Sequence, residues 1–125
     1  MLFRSAQMQQ VFSNLLMNAL LSRDSGVVVQ IAAQRCMARS PESSGSEPIR
    51  CFRITVTDNG EGISDTDLPH VFEPFFTTRE VGQGTGLGLS ISHGIVSEHG
   101  GWMTVDSVPG EGAAFSVFLP VEVDL

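Results

Sequence analysis

The chain has 125 residues, 42% of them hydrophobic, with seven basic against fourteen acidic side chains and a formal net charge of −7. That length suits one layered domain, which buries about two-thirds of its unfolded surface and holds a core without staples. The acidic balance opposes non-specific binding to nucleic acid or to an anionic membrane, so any phosphate has to be held locally.

No run approaches the roughly 18 apolar residues of a membrane span, and Met1-Leu2-Phe3-Arg4-Ser5-Ala6-Gln7 lacks the apolar stretch of a signal peptide. The expectation is a cytoplasmic domain. Cys36 and Cys51 lack metal-ligand spacing, which favours reduced structural thiols, and a hairpin could make them neighbours.

From Ser5 to about Ser22 the apolar residues Met8, Val11, Phe12, Leu15, Leu16, Ala19 and Leu20 fall on one helical face. Asn14 and Asn18 sit one turn apart at the margin of that stripe, where two amides could face a ligand; the plainer reading is a pair of solvated or hydrogen-bonded side chains. Val27 to Ala33 predicts a strand, and Ala38 to Pro48 has almost nothing to bury, as in a long hairpin connection. Phe52, Ile54 and Val56 alternate with polar partners, the period-two mark of a half-buried strand.

That strand runs into Asp58-Asn59-Gly60-Glu61-Gly62-Ile63. Locally this is turn chemistry, with Asp58 an Asx-turn acceptor. Alternatively, Asp58 ends a buried strand and the two glycines let a flat ring lie against the backbone. A carboxylate there accepts from an exocyclic amine and repels a carbonyl oxygen, favouring adenine over guanine. Phe72, Phe75 and Phe76 then predict a loop anchored by its phenylalanines, with Thr77, Thr78 and Arg79 beyond the anchor.

Gly82, Gly84, Gly86 and Gly88 alternate through Thr85 and Leu87 before an apolar helix that stops at Gly100-Gly101 and should be well buried. Backbone amides without Cβ neighbours, followed by the positive end of a helix, suit a phosphate chain. Trp102 to Ser107 and Ala114 to Pro120 predict two further strands, with Trp102 partly exposed at a strand start. His70, His93 and His99 share no spacing suited to a metal or a catalytic triad.

In this order the motifs resemble the N box, first glycine box, F box and second glycine box of the sensor histidine kinase catalytic domain, the Bergerat ATP-binding fold of the GHKL superfamily. Phe72-Glu73-Pro74-Phe75-Phe76-Thr77-Thr78-Arg79 followed by Gly84-Thr85-Gly86-Leu87-Gly88-Leu89 is similar to the nitrogen-regulation subgroup. The resemblance implies an α/β (α+β) two-layer sandwich, a mixed sheet with helices on one face. It implies ATP as ligand, held through Asp58, Gly60, Gly62, Ile63, Phe72, Thr78, Gly84, Thr85, Gly86, Leu87 and Gly88. Magnesium would be held by Asn18 and Asn14, and catalysis would use Asn14, Asn18 and Arg79. The segment between F box and glycine run would close over the triphosphate.

Hydrolysing members of the superfamily place a glutamate where this chain has Asn14. An amide cannot take a proton, so the resemblance implies transfer of the γ-phosphoryl group over hydrolysis. The acceptor would be a histidine on a separate dimerisation domain, with a response regulator downstream and no membrane contact by this domain, whatever anchors its parent. The chain begins at the N box, as an isolated catalytic fragment would. Two further departures are Ala113 and Ala114 in place of a hydroxyl after the last glycine turn, and only Met1 to Ser5 to stand for the strand before the N-box helix. The competing readings are a nucleotide-dependent interaction module and a serine-protein kinase of the anti-sigma type.

Overall fold

The computed structural model describes residues 5–42, 45, 47–76 and 87–121. The apolar stripe forms α1 (Ser5–Leu20), whose buried residues are Val11, Leu15 and Ala19. Its end is closed by Leu21 N–H on Met17 O and by Ser22, whose N–H and hydroxyl both donate to Ala19 O. β1 (Val29–Ala38) and β2 (Ile49–Asp58) form the expected hairpin, β1 starting and finishing later than Val27 to Ala33. A short 3-10 turn (Leu68–His70) precedes α2 (Gly88–Glu98), β3 (Trp102–Val108) and β4 (Gly112–Pro120).

The described strands form one sheet in the order β1-β2-β4-β3, and every pairing is antiparallel. The expectation of a mixed sheet is corrected for these strands. β3 runs parallel to β2, but β4 turns back from β3 and inserts between them, so the parallel pair never shares a ladder. Residues 1–4, the candidate for a further strand, lie outside the described residues.

Strand alternation puts Ile54, Val56 and Asp58 of β2, Phe115, Val117 and Leu119 of β4 and Met103 of β3 on one face, against Val11 and Leu15 of α1 and Val96 of α2. Leu15 and Val11 are almost fully buried, each contributing about 1.5–3 kcal/mol by leaving water. α2 is less buried than its composition suggests. Ser92, Ile95 and Val96 are sealed, but Ile91 stays 40% exposed, because a two-layer architecture covers only one side of a helix. Trp102 corrects the sequence expectation in the other direction: it is buried, its ring stacked on Phe118 at 5.0 Å on the opposite face of the sheet. Arg53 lies 5.5 Å from the centre of the Phe118 ring and extends that row.

α1 reaches β1 near Val29 and leaves Ile31 and Met37 exposed. A groove of about 430 Å³ lies at that end of the hairpin, lined by Arg35, Met37, Arg50, Phe52 and Val121 among others. Cys36 stands opposite Cys51 in the register, and both thiols are free. No described helix is long and apolar enough to cross a membrane.

Candidate functional site

β2 delivers Asp58 to the helix-bearing face at its last position, where the side chain is 6% exposed. Asp58 Oδ1 accepts the Gly60 N–H at 2.8 Å and the Ala113 N–H at 3.3 Å. The first contact is the Asx turn expected from local chemistry; the second ties β2 to β4. No described residue donates to Oδ2. Because no sealed side-chain oxygen or nitrogen among the described residues lacks a partner, Oδ2 keeps an opening to solvent. One oxygen is therefore fixed by the backbone and the other is offered outward as an acceptor.

The glycines beside it lie close against protein. A Cβ on Gly60 would strike the Ser22 side chain and carbonyl, and one on Gly62, at φ +77°, would strike Val108 O and Pro109. Their missing side chains admit the end of α1 on one side and the β3–β4 turn on the other. Hydrogen bonds follow the same two contacts: Glu61 N–H donates to Ser22 O at 3.2 Å, and Gly110 N–H donates to Glu61 O. Asn59 braces the outside of the loop, accepting Val28 N–H at 2.7 Å and donating to Gly26 O at 3.2 Å.

Two turns back along α1, Asn14 is half-buried and hydrogen-bonded to protein, within the plain expectation of a solvated or hydrogen-bonded amide. Its Nδ2 donates to Gly88 O and to Ser92 Oγ, both at 3.1 Å. This contact seats the start of α2 against α1. α2 has no acidic side chain in its first turn, so the positive end of its dipole is not offset there. Leu87 precedes the helix and its carbonyl accepts from Ile91 N–H and Ser90 Oγ. Asn18 lies one turn beyond Asn14 on the same edge of α1, half-buried.

Phe72 packs edge-on to Phe115 at 6.2 Å and against His93 at 4.9 Å, which fixes the F-box loop between sheet and α2. Phe76 is also packed on the core. Phe75 departs from the expected three-phenylalanine anchor, being 74% exposed and held at φ +67°. Ile63 packs on the core, and its N–H donates to Ser107 Oγ at 2.7 Å. Thr78, Arg79, Gly84, Thr85 and Gly86, with Thr77 and Gly82, lie outside the described residues.

The donor chemistry fits magnesium carried by a triphosphate. A hard cation takes oxygen ligands and shares its shell with phosphate and water. The edge of α1 offers carboxamide oxygens at Asn14 and Asn18, and no group of three or more His, Cys, Asp or Glu side chains gathers among the described residues. Adenine suits the outward Oδ2 of Asp58. The groove near Arg50 is no part of this arrangement, since it lies eight residues back along β2, about 26 Å from Asp58.

Sequence reasoning missed four contributors. Ser22 meets Gly60, Ser92 holds Asn14, and Ala113 supplies an amide to Asp58. Ser107 accepts from Ile63 and donates to Gly112 O at 2.8 Å. A serine in a buried helix position was the available signal for Ser92; the others act through contacts between distant segments, which no local pattern announces.

The family model described as histidine kinase-, DNA gyrase B- and HSP90-like ATPase matches residues 4–123. The sensor histidine kinase ZraS of Escherichia coli O157:H7 is 38% identical over 117 residues, covering 94% of this chain and 22% of that protein. The two-component sensor PprA of Pseudomonas aeruginosa is 41% identical over 118 residues, covering 92% of this chain and 12% of that protein. The chain thus spans a minor part of the curated relatives it matches. Among solved structures, a mycobacterial sensor histidine kinase, MprB, superposes with a TM-score of 0.74 at 28% identity, covering 94% of this chain and 74% of that one.

Proposed function

This chain belongs to the histidine kinase-, DNA gyrase B- and HSP90-like ATPase family, and we propose that it binds magnesium ATP and transfers the γ-phosphoryl group to protein. The acceptor is a histidine on a separate dimerisation domain of the same sensor kinase, and a response regulator receives the group downstream. The observation that carries this reading is the alignment of the site along one edge of α1. Asn14 touches the start of α2, Asn18 follows one turn later, and Ser22 meets Gly60 beside Asp58. The six helical steps from Asn14 to Leu20 cover about 9 Å and Ser22 lies just beyond, a span suited to an adenine at Asp58 and phosphates at α2.

In this mechanism Asp58 Oδ2 accepts from the exocyclic amine of adenine and disfavours guanine. The helix start at Leu87 and Gly88 faces the phosphates with its amides, while Asn18 and Asn14 offer oxygens to the cation. Bound magnesium supplies neutralisation of the charge that builds on the β- and γ-oxygens. The acceptor imidazole nitrogen bonds to the γ-phosphorus as the bond from that phosphorus to the bridging oxygen breaks, and ADP leaves. Asn14 cannot take a proton from water, which disfavours hydrolysis. Arg79 is assigned the basic contact to the phosphates by sequence alone.

The test mixes this chain with the dimerisation domain of its own kinase and Mg-ATP. Acid-labile, base-stable phosphate should appear on the partner, and Asn18→Ala should abolish it while leaving the circular dichroism spectrum unchanged. Acid-stable phosphoserine, or an Asn18→Ala protein that transfers at the parent rate, would overturn the assignment.

A further inference from the structure

The Asn14 carboxamide has two possible orientations, and the structure contains what decides between them. The nitrogen lies 3.1 Å from Gly88 O. A carbonyl can only accept, so the amide nitrogen must take the side of Gly88 O, which leaves Oδ1 on the other branch of the amide, 3.9 Å from where a Cβ on Gly88 would stand. No described donor meets Oδ1, and no sealed side-chain polar atom among the described residues is without a partner, so this oxygen opens to solvent at the α1–α2 junction. One contact alone would leave the amide plane free to swing about it. The second proton of Nδ2 reaches Ser92 Oγ at 3.1 Å, one helical turn further along α2. Two anchors a turn apart define the plane.

Ser92 is 0% exposed, although serine is neither a strong helix former nor an apolar packing residue. Its one side-chain hydrogen bond among the described residues is from Asn14. We propose that Ser92 is a positioning residue that acts through Asn14: it fixes the carboxamide with its oxygen presented to the cation–triphosphate, and so couples the start of α2 to metal binding. This rests on the ATP-binding reading above and adds a residue outside the four sequence motifs.

The experiment is calorimetry of ATP binding to this chain, with magnesium and with excess chelator, for four proteins: parent, Ser92→Ala, Asn14→Ala and the double variant. The quantity read is the ratio of the two dissociation constants, the gain from magnesium. Loss of one buried hydrogen bond of about 1 kcal/mol should reduce that gain roughly three- to tenfold in Ser92→Ala. Chelated ATP should bind within about twofold of parent, because Asp58 is untouched, and the melting temperature should hold, since alanine is the better helix former. In the Asn14→Ala background the Ser92→Ala change should have no further effect, as expected of a residue acting through another. An unchanged gain in Ser92→Ala overturns the proposal, as do equal losses with and without magnesium accompanied by a lower melting temperature. A parent chain that binds no ATP under either condition overturns the ATP-binding reading itself, and this proposal with it.

Discussion

Replacing Asp58 with asparagine isolates the base-reading role of its outward oxygen. In the native chain Oδ1 is held by Gly60 N–H at 2.8 Å and Ala113 N–H at 3.3 Å. Those two donors can be met only by an oxygen, so asparagine must keep its carbonyl there and turn its NH₂ group to where Oδ2 was. The amine of adenine then meets a donor in place of a charged acceptor. Losing a hydrogen bond to a charged group costs about 1.5–3 kcal/mol, roughly a 10- to 150-fold weaker ATP complex. The fold should lose far less, about 1 kcal/mol, because both amides keep an acceptor and only its charge is gone. Calorimetry with Mg-ATP and Mg-GTP, beside urea unfolding, separates the two effects. The same exchange should narrow the preference for ATP over GTP, since the guanine carbonyl can now accept. Equal ATP affinities before and after, or a variant that loses ATP and several kcal/mol of stability together, would refute the reasoning.

Gly112→Ala places a Cβ against the Asp58 carbonyl at a backbone φ of +106°; strain of about 1–3 kcal/mol should lower the urea midpoint and weaken ATP binding together. Phe72→Ala should cost about 2–4 kcal/mol of stability. Phe75→Gly should leave stability level or raise it by up to about 1 kcal/mol, because glycine accepts φ +67° and little burial is lost; the opposite order in thermal melts would contradict the packing described. Burial, and secondarily Cys36, push the Cys51 thiol above its ordinary value near 9.0. A thiol harder to ionise when folded contributes stability that is full below that ordinary value, which the unfolded chain keeps, and is lost as pH rises through the folded value. All seven basic residues are arginines and there is no tyrosine, so few other groups titrate there. The alkaline fall in stability should be shallower in Cys51→Ala, and identical pH profiles would exclude that thiol as its source.

What the sequence made legible follows from the range of each interaction. α1 announced itself through a stripe repeated over four turns, and β2 through strict alternation, because burial of one face acts on each residue in turn. The hairpin of β1 and β2 followed from a polar connection between two apolar runs. The sheet order did not, since nothing local says that β4 slips between β2 and β3. Asp58 could be singled out because a strand end and a glycine turn meet there, yet its second amide donor comes from Ala113, 55 positions away. Asn14 could be read as a solvated or hydrogen-bonded amide, but its partners could not be named for the same reason: they are 74 and 78 positions distant. Gly60 and Gly62 were noticed, but not their closeness to Ser22 and Val108, because a glycine signals close approach without saying to what.

Since Asn14 and Asn18 occupy successive turns at one edge of α1 and Ser22 follows just past its end, the helix behaves as a ruler whose graduations are residues. A substitution alters one mark; an insertion or deletion between Asn14 and Ser22 would move every later mark by about 1.5 Å and swing it about 100° around the axis. Asn18 would leave the edge, and the Ser22–Gly60 contact would lose its register with the start of α2. This segment is therefore free to vary in chemistry on its outer side but not in length, while the connection between β1 and β2, whose described residues touch none of the site, is free in both.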